Sequence, residues 1–370
     1  MRPLYLISVL LVIAVTACGG GAPTASSSAK SQLPPEWDQL VAAAKKEGGI
    51  TIGLGPDPPL QQKVFPLFQQ QFGIPVQTVN QNSGQLANKL IEERAAGVHS
   101  VDVLMASCNV VASTSYPAGL YAPLKPQLIL PDVNDSSKWI DGKPWWVDRE
   151  ETYVLRLDRQ VRYFFNINPD AVDATKLKTP QDILNPEWKG KIASLDPTTG
   201  NIGQIFAGLM IKLMGEDYVR QLYLGQGVKS TTEQRVLDDW LAHNTYPIAI
   251  GMPANERSDM KSAGLPISVL KLEGPISATL GSGLQVGVIA DAPHPNAAKL
   301  FANWMLTQPT MQAMVDAEGT ATVRTDMNYS GVDPDLIPQA GGNYFNECDW
   351  DYNATERPRL NDKLLQILRP

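Results

Sequence analysis

Polar residues and glycine occupy a loop between Asp196 and Asn201, which joins an apolar predicted strand to an apolar predicted helix. The hydroxyl groups of Thr198 and Thr199, the amide of Asn201 and the free backbone N–H groups of a helix start can bind a polar or anionic ligand. Taken alone, the same residues are also typical of a simple helix cap. The segment is therefore a candidate ligand-binding loop, with capping as the alternative.

Similar turns follow the other predicted strands. In an open α/β sheet, ligands bind beyond the carboxyl ends of the strands, so these turns are expected to converge. Arg324 lies in a later turn, where its guanidinium could pair with a carboxylate or phosphate, and a surface arginine is the alternative. The residues that we predict to bind ligand are Asp57, Ser83, Ser107, Asn109, Thr198, Thr199, Asn201, Arg257 and Arg324.

The common catalytic and cofactor-binding motifs do not occur in the sequence. Gly281-Ser282-Gly283 lacks the spacing of a nucleophile elbow, and no glycine-rich phosphate-binding loop is present. The three histidines are far apart, so a zinc site would need ligands from scattered positions. We therefore predict a binding protein rather than an enzyme, with no catalytic residue, no metal and no cofactor.

Length and charge limit the class of protein. A chain of 370 residues predicts two domains, because domains commonly have about 150 residues. The formal net charge of -7 argues against nucleic acid or an anionic membrane surface as the main partner, since both attract basic proteins. Neither property identifies a small ligand.

The N-terminus resembles a lipoprotein signal peptide. An apolar run from Leu4 to Val15 follows a basic start, and it is shorter than the roughly 20 residues of a spanning helix. Thr16-Ala17-Cys18 completes what looks like a lipobox. An uncleaved anchor is the alternative, and either arrangement places the body outside the cytoplasm. We expect a signal peptide over 1–17, lipidation of Cys18 as the one membrane contact, and a flexible tether over 18–35.

Two other cysteines, Cys108 and Cys348, are left if Cys18 carries lipid. Thiols of an exported protein can pair. Their separation along the chain does not reveal their separation in space, so the sequence leaves the disulfide open.

Strands and helices alternate along the chain, which is typical of a doubly wound α/β fold. Ile50–Leu54 predicts a strand, and a helix follows in which Pro66 causes a kink or marks a later start. Extended segments at 153–166 and 275–288 are expected to carry the chain between two lobes. The predicted domains are a first part of lobe 1 over 36–168, lobe 2 over 169–275, and a return to lobe 1 with the C-terminal helices over 276–370.

Several stretches carry a resemblance to a known family. The most specific are 186–191 (PEWKGK) and 293–299 (PHPNAAK), and weaker ones are 44–48 (AKKEG) and 93–97 (ERAAG). They resemble the bacterial extracellular solute-binding proteins of family 1, in the subgroup of ferric-iron-binding components of ABC importers. The resemblance implies a two-lobed type II periplasmic-binding-protein fold, each lobe a mostly parallel sheet flanked by helices, with a strand hinge. It also implies a permease and an ATPase as partners, and we expect a monomer.

The sequence departs from the iron-binding members at one place. Those members carry adjacent tyrosines after the strand that corresponds to Tyr246–Gly251, whereas Asn255-Glu256-Arg257 stands here. An arginine favours an anion over a cation. We therefore predict capture of a small polar or anionic organic solute. The alternatives are a ferric-iron or other metal-binding component, with ligands such as Tyr329, Tyr344 or Asp57, and a surface-anchored hydrolase.

Overall fold

The computed structural model describes residues 33–274, 278–281, 283–339 and 341–369, without the side chains of Ala254 and Asn255. The predicted signal peptide, Cys18 and residues 18–32 of the predicted tether lie outside the described residues. Residues 275–277 and 282 of the predicted return segment lie outside them as well.

Helices begin and end where the sequence supplies suitable residues. Helix α1 (Pro35–Glu47) is capped by Gly48, which has a left-handed backbone (φ +82) that glycine adopts without a Cβ clash. Pro66 lies at the start of helix α2 (Phe65–Phe72), after a π-helical turn over Leu60–Val64, where its missing N–H is not needed. Pro66 thus marks the later helix start. The α-helices of the described residues are α1 (Pro35–Glu47), α2 (Phe65–Phe72), α3 (Ser83–Ala95), α4 (Cys108–Val110), α5 (Pro131–Asn134), α6 (Ile202–Met214), α7 (Glu216–Arg220), α8 (Gln234–Ala242), α9 (Ala254–Ser262), α10 (Pro295–Met305), α11 (Gln308–Glu318) and α12 (Arg357–Leu368).

The strands form two larger sheets and a smaller one within the described residues. They are β1 (Ile50–Leu54), β2 (Val76–Asn80), β3 (Val103–Met105), β4 (Val154–Arg156), β5 (Gln160–Tyr163), β6 (Phe165–Ile167), β7 (Ile192–Leu195), β8 (Lys229–Thr231), β9 (Ile248–Ile250), β10 (Ser268–Val269), β11 (Ala278–Gly281), β12 (Gln285–Val288) and β13 (Phe345–Asn346).

The first larger sheet, with its helices, forms the first lobe. Its strand order is β2-β1-β3-β12-β4, with β1 parallel to β2 and β3, and β12 antiparallel to β3 and β4. Phe68 of α2 is fully buried against Phe301 and Trp304 of α10, with ring centroids 5.3 and 5.2 Å apart. Such aromatic contacts add to the stability that burial alone provides.

A carboxylate joins α1 to α10. Glu47, the last residue of α1, accepts hydrogen bonds from the backbone N–H groups of Asn296 (3.1 Å) and Ala297 (2.7 Å) at the start of α10. The first N–H groups of a helix have no partner within the helix, and a carboxylate satisfies them. Glu47 belongs to the stretch 44–48 and its partners belong to the stretch 293–299, so two of the stretches that carry the family resemblance contact each other.

The second larger sheet belongs to the second lobe, in the order β10-β6-β9-β7-β8. β7 is parallel to β8 and β9, whereas β6 is antiparallel to β9 and β10. The boundary predicted at residue 168 falls after β6, which pairs within this sheet. The segment that leaves the first lobe is therefore β5, between β4 and β6.

A glycine sets the distance between α6 and β7. A Cβ at Gly203 would lie 2.3 Å from the carbonyl oxygen of Leu195, a distance that no side chain tolerates. Because glycine has no Cβ, the first turn of α6 lies directly against the end of β7. Ile202 is thereby held at the carboxyl edge of the second sheet.

The small sheet connects the lobes and is the hinge. Its order is β13-β11-β5, with β5 antiparallel to β11 and β13 parallel to β11. β5 joins β4 of the first lobe to β6 of the second, and β11 precedes β12 of the first lobe. The two-lobed α/β architecture predicted from the sequence is thus confirmed.

The C-terminal segment contacts both lobes. Cys348 forms a disulfide with Cys108, which follows β3 of the first lobe, with their Cα atoms 5.3 Å apart. The pairing that the sequence left open is therefore formed. Beyond it, α12 packs against α6 and buries Leu360, Leu364 and Ile367 in the core of the second lobe. None of the described helices combines the length and the apolar character that crossing a bilayer requires.

Candidate functional site

A cavity of about 1080 Å³ lies between the loops at the carboxyl ends of the two larger sheets and is bordered by the hinge. Loops that follow β1, β4, β7 and β9 all reach it. Its lining includes Asp57, Asp158, Asp316, Glu318 and Thr320 from the first lobe, Ile202, Pro253, Ser258, Asp259 and Lys261 from the second, Gln160 and Arg162 from the hinge, and Asp333 from a late turn. A cavity with walls on both lobes changes volume when the hinge bends.

Two aspartates of the first-lobe wall follow strands of the first sheet. The Asp57 carboxylate, after β1, accepts a hydrogen bond from the backbone N–H of Leu60 at 3.0 Å. The Asp158 carboxylate, after β4, accepts hydrogen bonds from the N–H groups of Gly283 (3.1 Å) and Leu284 (2.9 Å). Asp158 is buried and joins β4 to the segment before β12, whereas Asp57 is partly exposed to the cavity.

Glu318 is the last residue of α11 and lies in the same wall as Asp57. Burial raises the pKa of its carboxyl to about 8, and a hydrogen bond to Asp57 together with the negative charges of Asp57 and Asp158 adds to the increase. The Oε1 atom of Glu318 is buried and has no hydrogen-bond partner among the described residues. The wall therefore contains a carboxyl group whose environment disfavours its charge when the cavity holds no cation.

Thr320 completes this part of the wall, two residues beyond Glu318. Its side chain is 5% exposed, and its Oγ1 has no hydrogen-bond partner in the described part of the chain. Buried hydroxyls are normally paired, because an unpaired one costs about 1 to 3 kcal/mol. The unpaired Oγ1 marks a position that a ligand group could fill.

The second-lobe wall is built on α9 and the turn that contains Asp333. Lys261 of α9 forms ion pairs with Asp333 (3.0 Å) and Asp335 (3.3 Å). Burial opposes ionisation of Asp333, but hydrogen bonds from the Asp335 backbone and from Lys261, with the charge of Arg257, hold its pKa below the usual range. The charges of Lys261, Asp333 and Asp335 are therefore balanced by one another within the protein.

Negative charge predominates in the cavity. Among the described lining residues, six carry a carboxyl group and two carry a basic group. The two basic residues, Arg162 and Lys261, are both paired with carboxylates, Arg162 with Glu347 at 2.9 Å. Carboxyl groups thus outnumber basic groups among the described lining residues, and both basic groups are already paired.

The structure places Asp57 in the cavity wall, whereas the predicted residues of the loop after β7 form hydrogen bonds within that loop and at the start of α6. Asn201 caps α6 by accepting from the N–H groups of Gly203 (2.8 Å) and Gln204 (3.3 Å). The Thr198 hydroxyl donates a hydrogen bond to the Asp196 carboxylate at 2.7 Å, and the Thr199 hydroxyl donates one to the backbone carbonyl of Asp196. This loop holds Ile202 in the lining and does not itself line the cavity.

The other predicted residues do not line the cavity. Ser83 begins α3 and Ser107 precedes α4, with Asn109 in its first turn. Arg257 has a nearly buried side chain, 2% exposed, that pairs with Asp333 at 3.4 Å. Arg324 is buried and its guanidinium bonds Asp132 and Asp326.

Glu318 and Thr320 were not predicted from the sequence, since neither lies in a turn that follows a strand. Glu318 ends a helix, and Gly319 then takes a left-handed backbone (φ +61). The available signal was a glycine that ends an apolar helix and is followed by Thr320-Ala321-Thr322. Such a segment predicts a helix end with hydroxyl groups but does not reveal which cavity it faces.

The comparisons with known proteins agree with this geometry. The sequence model of a bacterial extracellular solute-binding protein family matches residues 63–335. No curated protein sequence matches the chain significantly.

Solved structures with the same fold include periplasmic binding proteins of several bacteria. Iron-bound HitA from Pseudomonas aeruginosa is 20% identical, with a TM-score of 0.61 over 85% of this chain and 99% of that one. The Trichodesmium protein IdiA (FutA), in complex with iron and citrate, is 15% identical, with a TM-score of 0.66 over 87% and 99%. AfuA from Actinobacillus pleuropneumoniae, with fructose-6-phosphate bound, is 17% identical, with a TM-score of 0.61 over 87% and 99%.

At these identities the structural likeness establishes the fold, and the family model establishes the relationship. The match covers most of the chain, including β2 to β12 and the cavity wall from Asp158 to Asp333, whereas Asp57 lies just before it. Proteins of this kind act outside the cytoplasm as the solute-binding components of ABC importers, together with permease and ATPase subunits. The resemblance predicted from the sequence is confirmed, and the chain belongs to the bacterial extracellular solute-binding proteins.

Proposed function

We propose that this protein holds a small polar organic solute in the cavity between its lobes, closes around it by bending the hinge, and delivers it to a membrane permease. The observation that carries the proposal is the cavity wall itself, which both lobes and β5 supply. A solute that contacts both walls stabilises the closed state over the open one by its extra contacts. We keep Asp57 as a ligand contact and add Glu318 and Thr320.

The finer features of the proposal come from the sequence. Lipidation of Cys18, after removal of a signal peptide over residues 1–17, would anchor the protein to the membrane. The tether would let a monomer move between solute capture and docking on the permease. The protein would release its solute unchanged, since the sequence shows no common catalytic motif.

Ferric iron is a second candidate solute, favoured by the iron-bound states of HitA and the Trichodesmium protein. Tyr329 and Tyr344 are the phenols considered from the sequence. In the described part of the chain their hydroxyls accept from the backbone N–H groups of Thr322 (3.2 Å) and Gln339 (3.3 Å), and neither lines the cavity. Titration with ferric citrate, followed by visible absorbance, distinguishes this candidate.

Native mass spectrometry of the mature protein, purified without denaturation, tests the proposed function. We expect a bound small molecule that is recovered intact after denaturation. Ser258→Trp places an indole ring in the cavity and should be purified without the molecule, whereas Leu224→Trp, at an exposed position outside the cavity, should retain it. Retention by Ser258→Trp would place the ligand elsewhere. A chemically converted molecule would instead indicate a hydrolase.

A further inference from the structure

The two walls of the cavity differ in how their charges are balanced. On the hinge and second lobe, Arg162 pairs with Glu347, and Lys261 pairs with Asp333 and Asp335. On the first-lobe wall, the partly buried Asp57 and Glu318 form no ion pair with any described residue. Carboxylates that are partly removed from water and left without a cation are unfavourable, so this wall favours a ligand that brings positive charge.

The polar atoms of that wall form a set of acceptors. Asp57 and Glu318 interact closely enough for Asp57 to raise the pKa of Glu318. Oε1 of Glu318 and Oγ1 of Thr320 are both buried without a partner among the described residues. An alkylammonium group carries three N–H donors and no acceptor. Two carboxyl groups and one hydroxyl can accept all three.

From this arrangement we infer that the solute carries a protonated amine, which binds between Asp57, Glu318 and Thr320 on the first-lobe wall. The inference rests on the proposed function and names the chemical class of its solute. Polar groups elsewhere on the solute would face Arg162, Ser258 and Lys261 on the opposite side of the cavity.

An organic cation fits the wall better than a metal ion does. The described residues contain no group of three or more His, Cys, Asp or Glu side chains placed to hold a metal. Ferric iron and divalent cations take several anionic or carbonyl oxygens at short distances. An ammonium group needs only three acceptors at ordinary hydrogen-bond distance.

Proton release should accompany binding. The charged groups that act on Glu318 are Asp57 and Asp158, which raise its pKa, and Lys63, which lowers it. With its pKa at about 8, Glu318 is mostly protonated at pH 7 when no cation is present. A bound ammonium stabilises the carboxylate and lowers that pKa, so the proton leaves as the amine enters.

Isothermal titration of the full mature protein tests the inference with five probes: 4-aminobutyrate, 1,4-diaminobutane, succinate, glucose 6-phosphate and ferric citrate. The first three are four-carbon chains that differ in charge. We expect an amine probe to bind and to release close to one proton near pH 7, measured in buffers of different ionisation enthalpy. Small-angle scattering of the same samples reports closure of the lobes.

Variants assign the binding to the proposed residues. The double variant Asp57→Asn/Glu318→Gln should weaken amine binding at least tenfold, whereas Glu187→Gln, which removes an exposed charge outside the cavity, should change it less than twofold. If the double variant unfolds, Thr320→Val keeps the side-chain shape, removes the hydroxyl and should weaken binding several-fold.

Each other outcome counts against the inference. Binding of succinate, glucose 6-phosphate or ferric citrate in place of the amines overturns it, and closure with that probe leaves the proposed function intact. Amine binding that both variants leave unchanged also overturns it. A protein that binds none of the five probes overturns the inference, and the native mass spectrometry described above then tests the proposed function separately.

Discussion

Arg162 of β5 and Glu347, next to β13, form an ion pair of 2.9 Å at the hinge. The same carboxylate accepts a hydrogen bond from the hydroxyl of Thr279 in β11. Glu347 is 8% exposed, so its partners satisfy a charge that water does not reach well. The Glu347 carboxylate thus contacts side chains of β5 and β11, and its own residue directly follows β13, so it links the three strands that the hinge sheet contains in the described residues.

Replacing Glu347 should weaken the hinge. Glu347→Gln leaves the guanidinium of Arg162 without its counter-charge, and we expect a loss of about 2 to 4 kcal/mol in the free energy of unfolding. Urea denaturation followed by circular dichroism measures it. Glu187→Gln, an exposed change, should cost less than about 0.5 kcal/mol. Equal losses of unfolding free energy in Glu347→Gln and Glu187→Gln would show that the ion pair does not stabilise the protein.

Two glycines of α6 should respond in opposite directions to the same substitution. Gly203→Ala places a Cβ 2.3 Å from the Leu195 carbonyl oxygen, whereas the nearest atom to a Cβ at Gly208 is 3.6 Å away. We expect Gly203→Ala to destabilise the protein by more than about 2 kcal/mol. Gly208→Ala should stabilise it by about 0.5 to 1 kcal/mol through helix propensity. Thermal unfolding of the two variants measures both changes in stability. An unchanged stability in Gly203→Ala would contradict the close approach of α6 to β7.

Glu318 should make stability depend on pH. Its pKa is about 8 in the folded protein against 4.5 as the ordinary value, so the unfolded chain ionises first and stability falls as pH rises between these values. Glu318→Gln cannot ionise. Its free energy of unfolding should exceed that of the wild type by about 1 to 2 kcal/mol at pH 8.5, after screening is considered, and the two should be similar at pH 4.

The control for this pH dependence is Asp316→Asn, which removes a charge from the same wall at an exposed position. Its unfolding free energy should follow that of the wild type across the pH range. Parallel curves for wild type and Glu318→Gln would contradict the role assigned to Glu318.

Arg324 should matter for stability and not for solute affinity. Its guanidinium, completely buried, pairs with Asp132 at 3.0 Å and Asp326 at 2.9 Å. Arg324→Lys loses the planar, forked geometry of these contacts, and we expect a cost of about 2 to 4 kcal/mol. Solute affinity, measured by titration below the unfolding temperature, should stay within twofold. Arg235→Lys, at an exposed position, serves as the control. A tenfold loss of solute affinity in Arg324→Lys but not in Arg235→Lys would show that Arg324 takes part in solute binding.

The order and the bounds of several elements could be predicted from the sequence. The strand Ile50–Leu54 begins and ends at the predicted residues, and the loop from Asp196 to Asn201 joins a strand to a helix as predicted, because apolar runs and flanking polar turns mark these elements. β8 was not predicted, since its residues are polar and mostly exposed. Its strand conformation comes from pairing with β7, which local composition does not encode.

The site was harder to predict, because long-range contacts decide it. An example from outside the cavity shows the difficulty. The carboxylate of Asp102 accepts hydrogen bonds from the backbone N–H (2.6 Å) and the ring (3.0 Å) of His294, although 192 positions separate the two residues. Asp57 was predicted because it follows a strand of the sheet. Glu318 reaches the same wall from the far end of a helix, and no local pattern reveals that meeting.

The bond between Cys108 and Cys348 has a consequence for biogenesis. Its two sulfurs are 240 positions apart, so the thiol of Cys108 emerges from the translocation channel long before its partner does. Oxidation therefore has to wait until Cys348 has been exported as well. The lipid proposed for Cys18 would meanwhile remove that thiol from competition, leaving Cys348 as the partner of Cys108.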